Sequence, residues 1–188
     1  MVASADRGRS TRQRLLDAAV VLIGEVGWHN VTTRLVADRA GVNPGVVHYH
    51  FDSVTKLLIE ACTGVTRGLL DEVTVRLAEQ PDVDSGIDWL LNELTRGLES
   101  DPAALLLVEA FLASSRLPEL RAQLVVQIAE FRTAVADWLR SRGCGDEADA
   151  AATVLAAALD GLVLHRILDP ELDLAALASP LRRMLAVG

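Results

Sequence analysis

The chain has 188 residues, 51% of them hydrophobic but only 4% aromatic, and a formal net charge of −8. That length is enough for a small module plus a regulatory domain with a real core, and the core has to be built from Leu, Val and Ala. Two cysteines, Cys62 and Cys144, stand far apart with no Cys-x-x-Cys or Cys/His spacing, so both are expected to be buried small hydrophobes in a reducing compartment rather than a disulfide or zinc set. The apolar run Val20–Ile23 is too short for a signal segment or a membrane span, so a cytoplasmic protein without a membrane partner is expected.

Residues 1–9 are small, polar and basic, and are expected to form a disordered arm. Ser10-x-x-Gln13 reads as a capping box ahead of Leu15, Ala18, Ala19, Leu22 and Val26, which predicts a helix from about Thr11 to Glu25, stopped by Gly27. Trp28 is expected to pack back onto a three-helix core. Val31 to Phe51 then reads as helix, tight turn, helix. Thr32 is a natural N-cap, and Leu35, Val36 and Ala40 form an apolar edge. Gly41 suits a left-handed helix end, Asn43 a second side-chain N-cap, and Pro44 the first helical position, where its missing N–H costs nothing. Two short helices so joined make a helix-turn-helix, whose second helix can enter a DNA major groove.

The charge distribution fits that reading. Residues 1–56 carry seven basic and five acidic side chains, net +2, and residues 57–188 carry eleven and twenty-one, net −10. A basic end on an acidic body approaches phosphates with one face.

Thr32-Thr33-Arg34, Ala40-Gly41-Val42 and His48-Tyr49-His50-Phe51 resemble the signature of the TetR/AcrR family of bacterial transcriptional regulators, over about the first sixty residues. The resemblance implies an all-α homodimer that binds a palindromic double-stranded operator and releases it when a small molecule enters its C-terminal domain. It implies that Asn43, Pro44, Gly45, Val46, His48 and Tyr49 face the groove while Val47 packs inward. The polar ones can reach base edges or phosphates, and Val46 a thymine methyl. Arg34 is the candidate for a bidentate contact to guanine; Thr33, Tyr49 and Lys56 are candidates for phosphate, beside the cap Thr32. One position departs from the family: Val54 stands where a lysine is common, and Lys56 lies about 200° further round the helix. His48 and His50, two apart, point away from each other on a helix, so no metal is expected. His50 is expected to serve the domain core.

The remainder is expected to be a helical bundle for ligand binding and dimerisation, over residues 57–188, after a helix-turn-helix domain at 10–56. A long helix from Val54 to Glu79 is predicted by Leu57, Leu58, Ala61, Val65, Leu69, Val73 and Leu77. Helices are then expected at about Ser85–Glu99 with Asp84 as cap, from Asp101-Pro102 to Ser115, at Pro118–Arg142, and at Asp146–Leu168. Ser179-Pro180 either starts a last short helix or kinks a longer one. The segment Ala103–Ala113 is apolar almost all round and is expected to be central, with Glu109 its only charge. A carboxylate there needs a partner or a pocket. It is assigned either to an effector pocket with Trp89, Phe111, Phe131 and Trp138, or to an ion pair with an arginine such as Arg116. Small residues along Asp146–Leu168 favour close helix approach, so Leu155, Leu159, Leu162 and His165 are candidates for the dimer interface. No cofactor is implied, and no phosphate loop, nucleophile elbow or paired carboxylates point to an enzyme. The competing expectation is an all-helical interaction module that has lost DNA binding.

Overall fold

A computed structural model describes the backbone of residues 2–100 and 103–185, and the side chains of residues 9–98 and 105–185. The described residues form nine α-helices and no strand. They are α1 (Val2–Val26), α2 (Thr33–Ala40), α3 (Pro44–His50), α4 (Val54–Ala78), α5 (Val83–Ser100), α6 (Ala103–Ser114), α7 (Pro118–Ser141), α8 (Ala148–Leu168) and α9 (Ala178–Leu185). The packing separates the chain into two units. The first holds α1 to α3, α4 as far as Thr66, and Leu105–Leu124. The second holds α4 from Arg67, α5, α7 from Val125, α8 and α9. The first unit thus includes α6 and the start of α7 beside the helix-turn-helix.

In the first unit, α1 buries Leu15, Ala18, Ala19, Leu22 and Ile23, one stripe at helical spacing. Val36, Ala37 and Ala40 of α2, Val47 of α3 and Phe51 pack with them, and Leu57, Leu58, Ala61 and Cys62 of α4 close the core. Leu106, Ala110 and Ala113 of α6 and Leu120 and Leu124 of α7 complete it. Trp28 is buried in a single 3₁₀ turn at Trp28–Asn30, as its place after Gly27 predicts. Three local expectations are corrected. Helix α1 begins at Val2, so the arm is helical and Ser10 lies inside the helix; nothing in residues 2–9 breaks a helix apart from the mild penalty of Gly8. Leu35 is exposed and Ala37 takes its place in the core. Helix α6 is two-sided rather than central, with Leu105, Phe111 and Leu112 exposed opposite its buried face.

In the second unit Leu77, Ile87, Leu90, Leu91, Val135, Trp138 and Leu139 pack with Leu155, Leu181 and Leu185. Asp82 rather than Asp84 caps α5, its carboxylate accepting the Ser85 N–H at 2.8 Å. That bond, with the Arg182 and Arg142 charges nearby, holds the Asp82 carboxyl below its ordinary range. Helix α8 starts at Ala148, two residues after the expected cap Asp146. Pro180 lies in the first turn of α9, where its lack of an N–H leaves no bond unmade, so it starts a short helix rather than kinking a long one. Cys62 is buried, whereas Cys144 is half-exposed in the Gly143–Gly145 loop instead of buried as expected. By length and composition α8 could cross a membrane. Its apolar character has another use here: Ala148, Ala151, Ala152, Leu155, Ala156 and Val163 line the core.

Candidate nucleic-acid interface

The geometry of α2, the turn and α3 follows from a few residues. Thr32 Oγ1 accepts the Leu35 N–H at 3.2 Å and fixes the start of α2. Gly41 ends it at φ 64°, and the Val42 N–H returns to the Ala37 carbonyl at 3.0 Å. The Arg14 guanidinium caps the Ala40 carbonyl, and the left-handed backbone at Gly41, rather than lack of space, is what favours glycine there. Pro44 is the first residue of α3. Asn43 sits at the N-cap position without the expected side-chain bond. Its backbone carbonyl already takes the Val46 N–H at 2.9 Å, so its side chain stays free in solvent.

These elements leave a set of side chains in solvent, several of which the fold itself does not use. Arg34 is 87% exposed, with Asp38 only at 3.8 Å. Tyr49 is 83% exposed, its ring set edge-on against His50 at 5.0 Å. Thr32, Asn43, Pro44, Gly45 and His48 are exposed, and Thr33, Val46 and His50 half-buried. Val47 points inward and is fully buried. A Cβ on Gly45 would meet nothing within 4 Å, so internal packing does not require glycine there.

The basic residues around this face are mostly engaged by partners of the chain itself. Arg12 binds Glu60 and lies 4.8 Å over the Phe51 ring. Arg14 belongs to the α2 cap, and Arg39 pairs with Glu25 at 2.5 Å, which lowers the glutamate's pKa. Lys56, in the first turn of α4, meets both oxygens of Glu119 at 2.5 and 2.6 Å. Glu119, Arg14 and Glu60 were not legible as partners, because the first and last stand 63 and 48 positions from the residues they bind.

The candidate effector residues fall in both units. Glu109 belongs to the first, where its carboxylate accepts the Trp28 N–H at 2.9 Å. Arg116 faces His29 Nε2 at 3.3 Å. Phe111 is 44% exposed on α6. Trp89, Phe131 and Trp138 belong to the second unit. Arg76 lies 5.4 Å over Trp89, and Arg142 5.9 Å over Trp138. A cavity of about 290 Å³ between α4 and α7 is lined by Arg67, Leu70, Asp71, Gln127, Glu130 and Phe131. A neighbouring one of about 340 Å³ shares Thr74 and Ala134 with it and reaches Leu77, Val135 and Trp138. A larger hollow, about 650 Å³, lies at the α7–α8 loop by Arg142, Cys144 and Arg182, away from Phe131 and Trp138. Among the described residues no three His, Cys, Asp or Glu gather to hold a metal.

Of the candidate interface residues, Leu155 is buried in the core of its own unit, Leu159 and Leu162 are half-buried against that core, and His165 is exposed. The opposite face of α8 carries Ala150, Val154, Ala157, Leu164 and Leu168, all exposed, at spacings of three, four or seven. A helix apolar on both faces has one face for its own core and one left over.

Residues 15–61 match the family described as bacterial regulatory proteins, tetR family, and residues 81–187 the tetracyclin repressor-like C-terminal domain. A curated relative, the HTH-type transcriptional regulator BetI of Cronobacter sakazakii, is 32% identical over 166 residues, covering 85% of this chain and 81% of the relative. The crystal structure of a transcriptional regulator of Streptomyces coelicolor, SCO7518, is similar at TM-score 0.73 and 27% identity, covering 94% of this chain and 99% of that one. The multidrug binding protein EbrR, complexed with proflavin, is similar at TM-score 0.68 and 28% identity, covering 93% and 99%.

Proposed function

Since the chain belongs to the TetR family of bacterial transcriptional regulators, we propose that it binds a palindromic operator as a homodimer, represses the adjoining genes, and lets go when a small apolar or amphipathic effector binds. The observation that carries this reading is the face of α2 and α3 that the fold leaves unused: Arg34, Gly45, His48 and Tyr49. Arg34 presents a planar fork suited to the O6 and N7 edge of guanine. Thr33 and Tyr49 offer hydroxyls to phosphate, and His48 and Asn43 polar atoms to base edges. Gly45 lets the α3 backbone approach the groove, and Val46 meets a thymine methyl.

One such face reads too few bases for operator affinity, so two copies are needed. The exposed α8 face supplies the contact, with Val154, Leu164 and Leu168 at its centre and His165 on its flank. Leu155 serves the core that supports this helix, and Leu159 and Leu162 form the shoulder between the two. The effector occupies the hollows along α4 and α7, with Phe131 and Trp138 in their walls. Proflavin, bound by EbrR, is a ligand of the flat, amphipathic kind such walls accept. Trp89 lies on α5 of the same unit, while Glu109 and Phe111 serve the first. The protein acts where the chromosome is, in the cytoplasm.

The test is a footprint over the DNA upstream of its own gene, with a reporter fused to the same DNA. Two protected half-sites about one helical turn or a multiple apart, with reporter activity rising when the gene is deleted, are expected. A single protected half-site would refute the dimeric reading, and falling activity the repressor.

A further inference from the structure

We propose that Glu119 competes with operator phosphate for Lys56, so that the corner between α6 and α7 sets the strength of the DNA-binding face; this rests on the DNA-binding reading above. Lys56 is the chain's single lysine. It lies in the first turn of α4, where the Ser53 hydroxyl accepts its N–H at 3.1 Å. Helix α4 begins four residues after α3 ends. When α3 enters a groove, the turn that follows it runs along the groove's edge, where phosphates pass. In this structure the ammonium is already engaged, by both oxygens of Glu119 at 2.5 and 2.6 Å.

The pair is half-exposed on both sides, 50% and 46%, so it is weak and readily exchanged. Its effect lies in charge. It neutralises one cation and occupies the ammonium that a phosphate would otherwise take. Glu119 is not stranded when Lys56 leaves, because it occupies the first turn of α7, where the helix dipole favours an anion. Two further contacts fix the same corner: the Glu109 carboxylate on the Trp28 N–H, and Arg116 beside His29. Glu119 also shares one helix with Phe131 and Trp138, which line the hollows of the second unit.

The test uses the full-length protein, a labelled random-sequence duplex of about 30 base pairs, and a salt series, since a phosphate contact is blind to sequence. Glu119→Gln is expected to bind three- to tenfold tighter, with a salt slope steeper by about one to two for the two lysines of a dimer. In a Lys56→Gln background the same change is expected to do less than twofold. An equal gain in that background would overturn the proposal, since it would show only the loss of a distant negative charge. No gain in either background would also overturn it. Selective ¹⁵N-lysine labelling gives one side-chain ammonium signal, and its assignment is immediate. That signal is expected to shift in Glu119→Gln and, in the wild type, on adding the duplex. A signal insensitive to both would show that Lys56 exchanges with neither partner. Failure of the wild type to bind any duplex at low salt would sink the DNA-binding reading itself, a result distinct from a duplex-binding protein that ignores Glu119.

Discussion

Gly86 sits in the first turns of α5, buried, with the Trp138 ring lying directly against it. A Cβ built at Gly86 would stand 2.4 and 2.5 Å from the Cη2 and Cζ2 atoms of Trp138 and 3.2 Å from Leu77 Cδ1. Ordinary contact begins near 3.4 Å, so Gly86→Ala has to push the indole by roughly 1 Å against a close-packed wall. Trp138 is 5% exposed and Leu77 1%, so neither can swing into solvent. Overpacking of this kind costs about 1–3 kcal/mol. Alanine's higher helix propensity returns about 0.8–1 kcal/mol. The net expectation is a destabilisation of about 0–2 kcal/mol, or a drop in Tm of up to roughly 8 °C for a chain of this size. Thermal unfolding followed by circular dichroism at fixed protein concentration measures it. The companion variant Trp138→Phe removes the benzo edge that meets the new methyl. In that background Gly86→Ala is expected to be neutral or stabilising by up to about 1 kcal/mol. If Gly86→Ala alone stabilises the protein, the glycine is not there to admit the tryptophan, and the packing argument fails.

Three further outcomes follow from the same structure. Leu164→Glu on the free face of α8 is expected to give folded monomers in analytical ultracentrifugation, while Leu155→Ala lowers unfolding stability by about 2–5 kcal/mol without separating the copies; a dimeric Leu164→Glu would move the interface elsewhere. Arg34→Ala is expected to cost about 1–3 kcal/mol of operator binding and to relax choice at one base pair per half-site; an unchanged base preference with a smaller salt slope would make Arg34 a phosphate contact. Burial pushes the Cys62 thiol up from 9.0 to about 12, so the folded state keeps its proton where the unfolded state loses it. Stability is therefore expected to fall as pH rises above 9, and a thiol reagent at pH 8 to modify Cys144 quickly and Cys62 only on unfolding; equal rates at both would refute the burial.

The helix-turn-helix was legible because its signals are local. Gly41 and Pro44 mark the end of one helix and the start of the next through their own backbone chemistry, with no need of distant partners. The start of α1 was misplaced for the converse reason. A capping box at Ser10 is a local option, and a helix already propagating from Val2 passes through it. Asn43 was read as a side-chain cap, but its own backbone carbonyl takes the N–H it would have served. The partners of Glu109 and Lys56 stand 81 and 63 positions away, and no spacing rule reaches that far. Helix α8 shows another limit. It is small and apolar on every side, so periodicity gives no phase, and its core face could not be told from its free face. The structure resolves this by burying Leu155 and leaving Val154 and Leu164 in solvent.

The central claim is that the unused face of α2 and α3 reads operator DNA in two copies. The most direct measurement is a fluorescence-anisotropy titration of the dimer with the DNA upstream of its own gene and with a scrambled duplex of equal length, at several salt concentrations. The account predicts binding at least about a thousandfold tighter to the upstream DNA, falling steeply with salt for both. Equal affinity for the two duplexes, with little dependence on salt, would contradict it.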